Sequence, residues 1–176
     1  PNQVIDFNMT TRKKTILKEQ EVLDNNFDCK NYESKRLWAV AEDGESIPIS
    51  IVFKKGRNNN KKPLLLYGYG SYGQIVDPYF SIARLSLLDR GFTFAIAHVR
   101  GSEYMGRSWY ENGKLLHKKN TFYDFISCAK FLISNNYTDK NSLYAYGGSA
   151  GGLLIGAVIN INPKLFNGLI AAVPFV

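Results

Sequence analysis

The residues around Ser149 constrain the fold of this chain more than any other part of the sequence. A short apolar run at 143–146 is followed at once by Gly147-Gly148-Ser149-Ala150-Gly151, and then by an apolar segment with helical spacing. A Gly-x-Ser-x-Gly motif between a strand and a helix is typical of a sharp, strained turn with the serine at its apex. We expect Gly147 and Gly151 where a side chain would collide with the strand or the helix.

This arrangement predicts that Ser149 is a nucleophile. Its hydroxyl would be exposed at the carboxyl end of the strand, and the backbone N–H of Ala150, at a helix N-terminus, could face a developing oxyanion. The alternative interpretation is a glycine-rich loop that only lets a helix pack closely on a strand. The strand before the motif and the helix after it favour the nucleophile.

From residue 63 onward, near-continuous apolar strands alternate with helices. Strands are predicted at 64–67, 92–99, 143–146 and 169–173. Helices are predicted at 79–88, with Ile82, Leu85 and Leu88 facing inward, and at 121–134, which begins with a capping box of Thr121 and Asp124. This alternation predicts a parallel sheet with helices on both faces.

The first 62 residues predict two antiparallel hairpins. Residues 35–41 and 47–53 are joined by a turn containing Asp43-Gly44, a strong hairpin signal, and lead into the parallel sheet. Residues 4–9 and 15–17 predict an earlier hairpin, followed by a polar linker at 19–32 and expected to pair with structure outside this chain. Residues 54–62 are predicted to be a loop. The order of elements is that of an α/β-hydrolase fold up to its sixth strand.

Composition excludes several function classes. The net charge is +7, but the lysines are scattered and form no single stripe, which favours a solvated surface over a nucleic-acid interface. No run of eighteen apolar residues exists, so no membrane span is predicted. Cys29 and Cys128 lack metal-binding spacing and are expected to be free thiols of a reducing compartment, the cytoplasm. No metal or other cofactor is expected. Because the sequence begins at Pro1, we expect it to be a piece of a longer protein.

A second glycine-rich loop follows the strand at 64–67, with the sequence Tyr67-Gly68-Tyr69-Gly70-Ser71-Tyr72-Gly73. In an α/β-hydrolase, the loop after the third strand supplies the second donor of the oxyanion hole. Here a backbone N–H or a phenolic hydroxyl could do so. The alternative is a tight glycine turn with packed tyrosines.

Several spaced motifs, in order, resemble the catalytic domain of the prolyl oligopeptidase family, and most closely its oligopeptidase B branch. They are the tyrosine-glycine loop, Leu88-Asp89-Arg90-Gly91, His98-Val99-Arg100-Gly101, Trp109-Tyr110-Glu111, Asn120-Thr121-Phe122 and the serine motif. The resemblance implies that Ser149 is the acylated serine, that Ala150 N–H and the Tyr69 hydroxyl are the oxyanion donors, and that Tyr72 lies near the substrate side chain. It also implies that residues 1–30 end a β-propeller and that 31–176 begin the hydrolase domain.

One loop departs from the family pattern. Family members carry Arg-Gly-Gly-Gly-Glu or a near variant after the fourth strand, whereas this chain has Arg100-Gly101-Ser102-Glu103-Tyr104. Without gaps, the family's glutamate falls on Tyr104, and Glu103 stands one place early. We therefore expect the contribution of this loop to differ from that in the family.

The other members of a catalytic triad are absent from the expected part of the sequence. In α/β-hydrolases the acid and the histidine follow the serine, yet the 27 residues after Ser149 contain no Asp, Glu or His. His98 is expected to be packed in a strand and His117 to lie at the surface. A serine without a base is a poor nucleophile at neutral pH.

Three functions are therefore considered. The first is a fragment of a serine oligopeptidase that cleaves short peptides after Arg or Lys, inactive alone and completed by the missing C-terminal part of its domain. The second is an esterase with the same serine turn, against which the doubled tyrosine loop argues. The third is a non-catalytic remnant whose exposed sheet edge seeks a partner.

Overall fold

The computed structural model describes residues 1–23, 27–56 and 63–175. The N-terminal hairpin is confirmed: β1 (Gln3–Phe7) and β2 (Lys14–Glu19) pair antiparallel in a two-stranded sheet of their own. Asn8 shapes the turn between them, because its side-chain oxygen accepts hydrogen bonds from the N–H groups of Thr10 and Thr11 at 3.0 and 2.8 Å. Every residue of both strands is exposed. Of the loop predicted at 54–62, residues 57–62 lie outside the described residues.

A mixed six-stranded sheet forms the centre of the fold. Its antiparallel part is the predicted second hairpin, β3 (Tyr32–Val40) and β4 (Ser46–Lys54). The parallel part contains β5 (Leu64–Tyr67), β6 (Thr93–Ala97), β7 (Leu143–Gly148) and β8 (Gly168–Ala172). The spatial order is β3-β4-β6-β5-β7-β8, with β4 and β6 antiparallel. This confirms the predicted α/β fold up to its sixth strand.

In the described part of the chain, four α-helices connect the strands, namely α1 (Ile82–Asp89), α2 (Arg107–Glu111), α3 (Lys118–Ser134) and α4 (Ala150–Ile161). Alternate side chains of β5 separate the two faces of the sheet. Leu64 and Leu66 belong to the larger core, built with α3 and α4, whereas Leu65 packs into a smaller cluster with α1. Helices therefore cover both faces, as predicted from the buried strands.

Two helix predictions are wrong in detail. Helix α1 begins at Ile82, after the N-cap Ser81, and Ile82 is half exposed, whereas Leu88 is buried. The helix thus contacts the sheet mainly through its C-terminal half. Helix α3 begins three residues before the predicted start. Thr121 and Asp124 do not cap it; both are fully buried in its body, where they bind the loop after β6.

Both cysteines are free thiols, with Cys29 exposed and Cys128 buried. Within the described ranges, no helix combines the length and the apolar character that a membrane crossing requires.

Candidate active site

Ser149 occupies the sharp turn between β7 and α4. Its backbone angles are φ 53° and ψ −117°, a strained conformation for a residue with a side chain, and the residue is exposed. Its N–H donates to the oxygen of Ala172 at 2.9 Å, which ties the turn to β8. Although serine is a favoured N-cap residue, its hydroxyl makes no capping hydrogen bond with α4. The hydroxyl is therefore held at the edge of the sheet without a role in the helix.

Glycines allow the backbones around this turn to approach closely. A Cβ atom on Gly147 would lie 2.1 Å from the carbonyl oxygen of Gly151, so the predicted collision with the helix is confirmed. A Cβ atom on Gly151 would instead lie 2.7 Å from the oxygen of Gly68. The loop after β5 is thus pressed directly onto the first turn of α4, a contact that the sequence pattern did not indicate.

Tyr69 lies in that loop, beside the first turn of α4. Its Cα is 3.4 Å from the position that a Cβ of Gly151 would take. Ala150 is the first residue of α4, so its N–H belongs to the amides that have no acceptor within the helix. The structure therefore places Tyr69 and Ala150, the two residues predicted to carry the oxyanion donors, at the same end of α4. Tyr67, in contrast, packs its ring on Tyr146, with the ring centroids 5.3 Å apart.

Tyr72 lines a cavity of about 350 Å³ next to the serine turn. The cavity also contacts Leu153, whose N–H lies 3.3 Å from the oxygen of Ser149, and Phe175, which follows β8. Tyr72 is 69% exposed and has a positive φ of 58°, which is uncommon for a bulky residue. Two larger cavities, of about 420 and 560 Å³, lie on the α1 face of the sheet and are not lined by Ser149 or Tyr69.

A buried ion pair that sequence reasoning missed anchors the loop after β6. Asp124, which is fully buried, accepts hydrogen bonds from Arg100 N at 2.9 Å, Nε at 2.9 Å and Nη2 at 2.6 Å. Arg100 Nη1 also donates to the more exposed Asp43 at 2.5 Å. In the sequence, Arg100 directly follows an apolar run, and a charge beside a buried strand needs a partner. That position could have indicated the ion pair.

The pKa values of this network follow from burial and hydrogen bonding. Burial disfavours the charged guanidinium of Arg100, but the hydrogen bonds to Asp124 and Asp43 outweigh it and raise the pKa of Arg100. Burial raises the pKa of Asp124, against the hydrogen bonds from Arg100. The hydrogen bond from Arg100 lowers the pKa of Asp43. A charged Arg100 is thus the stable centre of the network.

The unusual loop at 102–104 folds partly into the protein. The hydroxyl of Ser102 is buried and donates to the oxygen of Val99 at 2.9 Å. Glu103 forms an ion pair with Arg107 at 2.9 Å, and its N–H donates to the oxygen of Gly73 at 3.0 Å. Tyr104, at the position of the family's glutamate, stacks on His98 with ring centroids 3.7 Å apart. The loop thus packs inward at residue 104 and is tied to the loop after β5.

Neither histidine reaches Ser149 as a base. His98 is 3% exposed, and its Nε2 lies 2.7 Å from the hydroxyl oxygen of Ser50. Burial lowers the pKa of His98 to about 3, and the charge of Arg36 adds to this. His117 is exposed in the turn before α3, as predicted. Among the described residues, no group of three His, Cys, Asp or Glu side chains is arranged to hold a metal ion.

Comparisons with known proteins place this site in context. The model of the prolyl oligopeptidase family matches residues 78–176. Over its whole length the chain is 45% identical to dipeptidyl aminopeptidase BI of Pseudoxanthomonas mexicana and 45% identical to protease 2 of Moraxella lacunata, covering 24% and 26% of them. It superposes on oligopeptidase B from Leishmania major with a TM-score of 0.92 and 47% identity, covering 100% of this chain and 24% of that structure. The chain thus spans about a quarter of the length of these relatives.

Proposed function

The chain belongs to the prolyl oligopeptidase family, and from this membership we propose that it carries the acylating serine of a peptidase that cleaves short peptides. The observation that supports this most directly is the strained, exposed Ser149 at the start of α4, with Tyr69 packed beside the first turn of that helix. Residues 31–176 would then form the first part of the catalytic domain.

In the proposed reaction, the Ser149 oxygen attacks the scissile carbonyl carbon and its proton passes to a base. The carbonyl oxygen becomes an oxyanion that accepts hydrogen bonds from Ala150 N–H and the Tyr69 hydroxyl. The C–N bond then breaks, and the amine leaves with a proton returned by the base. Water hydrolyses the acyl-Ser149 ester in a second step of the same kind.

The base is proposed to come from polypeptide outside these 176 residues. His98 cannot act, because it is buried, bonded to Ser50 and stacked on Tyr104. No His or carboxylate follows Ser149 in the chain. We therefore expect the isolated chain to hydrolyse peptides and simple esters no faster than its Ser149→Ala variant. Turnover of an arginyl chromogenic substrate by the purified 176-residue chain, lost on Ser149→Ala, would contradict this proposal.

Cleavage after Arg or Lys is proposed from the likeness to oligopeptidase B. The cavity beside Tyr72 contributes apolar surface from Leu115, Leu153 and Phe175, but its charged lining residues are Lys114 and Lys118. A carboxylate that selects a basic side chain must therefore come from outside this lining. Comparing arginyl, prolyl and alanyl substrates on the intact protein tests the preference, and equal kcat/KM values for all three would refute it.

The N-terminal hairpin supports the proposed domain division. Residues 1–30 would close a β-propeller, and the hydrolase domain would begin near residue 31. The hairpin forms a sheet separate from the six-stranded one and exposes apolar side chains such as Val4, Ile16 and Leu17 on its surface. A hairpin of two strands is only marginally stable alone. Limited proteolysis of the intact protein should cut between residues 20 and 31 before it cuts within the six-stranded sheet.

The oxyanion hole is tested by a matched pair of tyrosine variants in the intact protein. Tyr69→Phe should lower kcat by about 10²-fold or more with KM much less changed, because the oxyanion forms only on the way to the tetrahedral intermediate. Tyr67→Phe should have little effect, since its ring packs on Tyr146. The assignment fails if Tyr67→Phe is the crippled enzyme or if neither variant is impaired.

The same proteins distinguish the esterase alternative. An oligopeptidase hydrolyses an arginyl peptide amide by a Ser149-dependent reaction, whereas an esterase hydrolyses only p-nitrophenyl esters. A non-catalytic remnant hydrolyses neither, even as the intact protein.

A further inference from the structure

Three loops meet behind Tyr69, and their backbones touch. They are the loop after β5 at Gly70, the loop after β6 at Gly101, and the segment before α3 at Gly113. A Cβ on Gly101 would lie 2.1 Å from the oxygen of Gly70, and a Cβ on Gly113 would lie 2.0 Å from the N of Gly101. At this junction the carbonyl of Gly70, the residue after Tyr69, faces the interior of the cluster.

Lys118, the first residue of α3, extends its side chain into this junction. Its Nζ donates to the Gly70 oxygen, to the Ser71 hydroxyl oxygen at 2.9 Å and to the Thr121 hydroxyl oxygen at 3.4 Å. The Thr121 hydroxyl in turn lies 2.8 Å from the oxygen of Arg100, to which it donates. The ammonium group is thus bound directly to the loop that carries Tyr69, and indirectly, through Thr121, to the loop after β6.

The Gly70 carbonyl accepts its hydrogen bond from the side chain of Lys118 rather than from the backbone. Gly70 has a φ of +70°, a conformation that glycine enters and leaves with little steric hindrance. Within the described ranges, no backbone N–H donates to its oxygen outside regular helices and strands. On the other side of Tyr69, Gly68 is fixed by its hydrogen bond to the oxygen of Tyr146 at 3.2 Å. On the C-terminal side, Lys118 holds the oxygen of Gly70, and the N–H of Gln74 holds the oxygen of Ser71.

We propose that Lys118 is a positioning residue of the oxyanion hole: its ammonium holds the Gly70 carbonyl and thereby orients the Tyr69 hydroxyl toward the substrate. This inference rests on the proposed function of Ser149 and Tyr69. Lys118 does not touch the reacting atoms in this role; it acts through Tyr69. The half-buried setting of the amine, which lowers its pKa to about 8, leaves it protonated at neutral pH, as three donated hydrogen bonds require.

Steady-state kinetics distinguishes a positioning role of Lys118 from a role in substrate binding. Lys118 also lines the cavity beside Tyr72, where its charge would repel a basic substrate side chain. If that repulsion were its main effect, removing the charge would lower KM for an arginyl substrate. If Lys118 orients Tyr69, removing it lowers kcat, because the oxyanion interaction develops only in the transition state.

The test is a double-mutant cycle in the intact protein with an arginyl peptide substrate. Lys118→Met should lower kcat by about 10- to 10²-fold, short of or equal to the loss in Tyr69→Phe, with KM within about twofold. In the Tyr69→Phe background, Lys118→Met should lower kcat by less than about threefold, because the donor that it positions is already gone. Lys118→Arg, which keeps cationic donors, should recover most of kcat. Lys119→Met, at the exposed neighbouring position, should leave kcat and KM unchanged.

Each other outcome has a definite meaning. The positioning role is overturned if Lys118→Met lowers kcat equally in the wild-type and Tyr69→Phe backgrounds. It is also overturned if Lys118→Met changes only KM. If Lys118→Met does not fold, the same cycle is run with Lys118→Gln, which also removes the charge, and full additivity of its loss of kcat with that of Tyr69→Phe again overturns the proposal. If Ser149→Ala retains activity, the proposed function fails and this inference with it. If activity depends on Ser149 and Tyr69 but Lys118→Met has normal kcat and KM, the positioning role of Lys118 is refuted while the proposed function stands.

Discussion

Replacing Asp124 by Asn should be one of the most destabilising conservative changes in this chain. The Arg100 side chain is 5% exposed and that of Asp124 is 0% exposed, so the pair is screened by almost no water. Asn has nearly the same size, and the change therefore creates no cavity. It removes the charge and turns an N–H group of the amide toward the donors of Arg100.

The expected loss follows from what remains around Arg100. With Asp124 neutralised, the one carboxylate left on the guanidinium among the described residues is Asp43, whose side chain is 46% exposed. Removing one partner of a buried ion pair costs about 3–5 kcal/mol, because the other charge stays buried without compensation. Asp43→Asn is the matched control. A half-exposed carboxylate contributes about 0–1 kcal/mol to such a pair, so its loss should be small.

Urea unfolding of the chain at pH 7, followed by circular dichroism, measures both effects. Asp124→Asn should lower the unfolding midpoint with an unchanged m value, and the free energy of unfolding should fall by about 3–5 kcal/mol. The double variant Arg100→Met, Asp124→Leu should lose less than Asp124→Asn, since it leaves no buried charge. The reasoning is refuted if Asp124→Asn loses less than about 1 kcal/mol, or if Asp43→Asn loses as much.

Three further predictions concern other buried groups. The pKa of His98 in the folded chain is lowered to about 3, so as the pH falls the unfolded chain binds a proton at His98 before the folded chain does. The free energy of unfolding should therefore fall as the pH drops below about 6.5, by at most about 1.4 kcal/mol per pH unit. In urea titrations from pH 7 to pH 4, His98→Gln should make the free energy of unfolding less dependent on pH. The same pH dependence in both proteins would contradict this prediction. Gly147→Ala should prevent formation of the serine turn, because its Cβ would lie 2.1 Å from a backbone oxygen. Gly156→Ala should instead stabilise α4 by about 0.5–1 kcal/mol, because a Cβ there meets nothing within 4 Å. Thermal melts of the two variants test this difference. A thiol reagent should modify exposed Cys29 in the native chain and reach Cys128 only on unfolding, because Cys128 is fully buried and burial raises the pKa of its thiol; rapid reaction of both thiols would contradict this.

The sequence alone was sufficient for the parts of the fold that depend on short-range patterns. Apolar runs of strand length, bounded by glycine and polar residues, located β5 to β8, and Asp43-Gly44 located the turn between β3 and β4. The serine turn was predictable for the same reason, because a strand, two close-packed glycines and a helix are written within about fifteen consecutive residues. The altered loop at 102–104 was also visible as a departure from the family pattern.

Only the tertiary structure decided what long-range contacts make of ambiguous local patterns. Thr121 and Asp124 have the spacing of a capping box, but the same spacing suits two side chains on one buried face of a helix. Which applies depends on Arg100, which comes 24 residues before Asp124 and reaches it through the loop after β6. Lys118 likewise has the appearance of a surface lysine in a basic run, until folding brings the Gly70 carbonyl to its ammonium. A buried polar group is defined by its partners, and partners that are distant in sequence are brought together only by the complete fold.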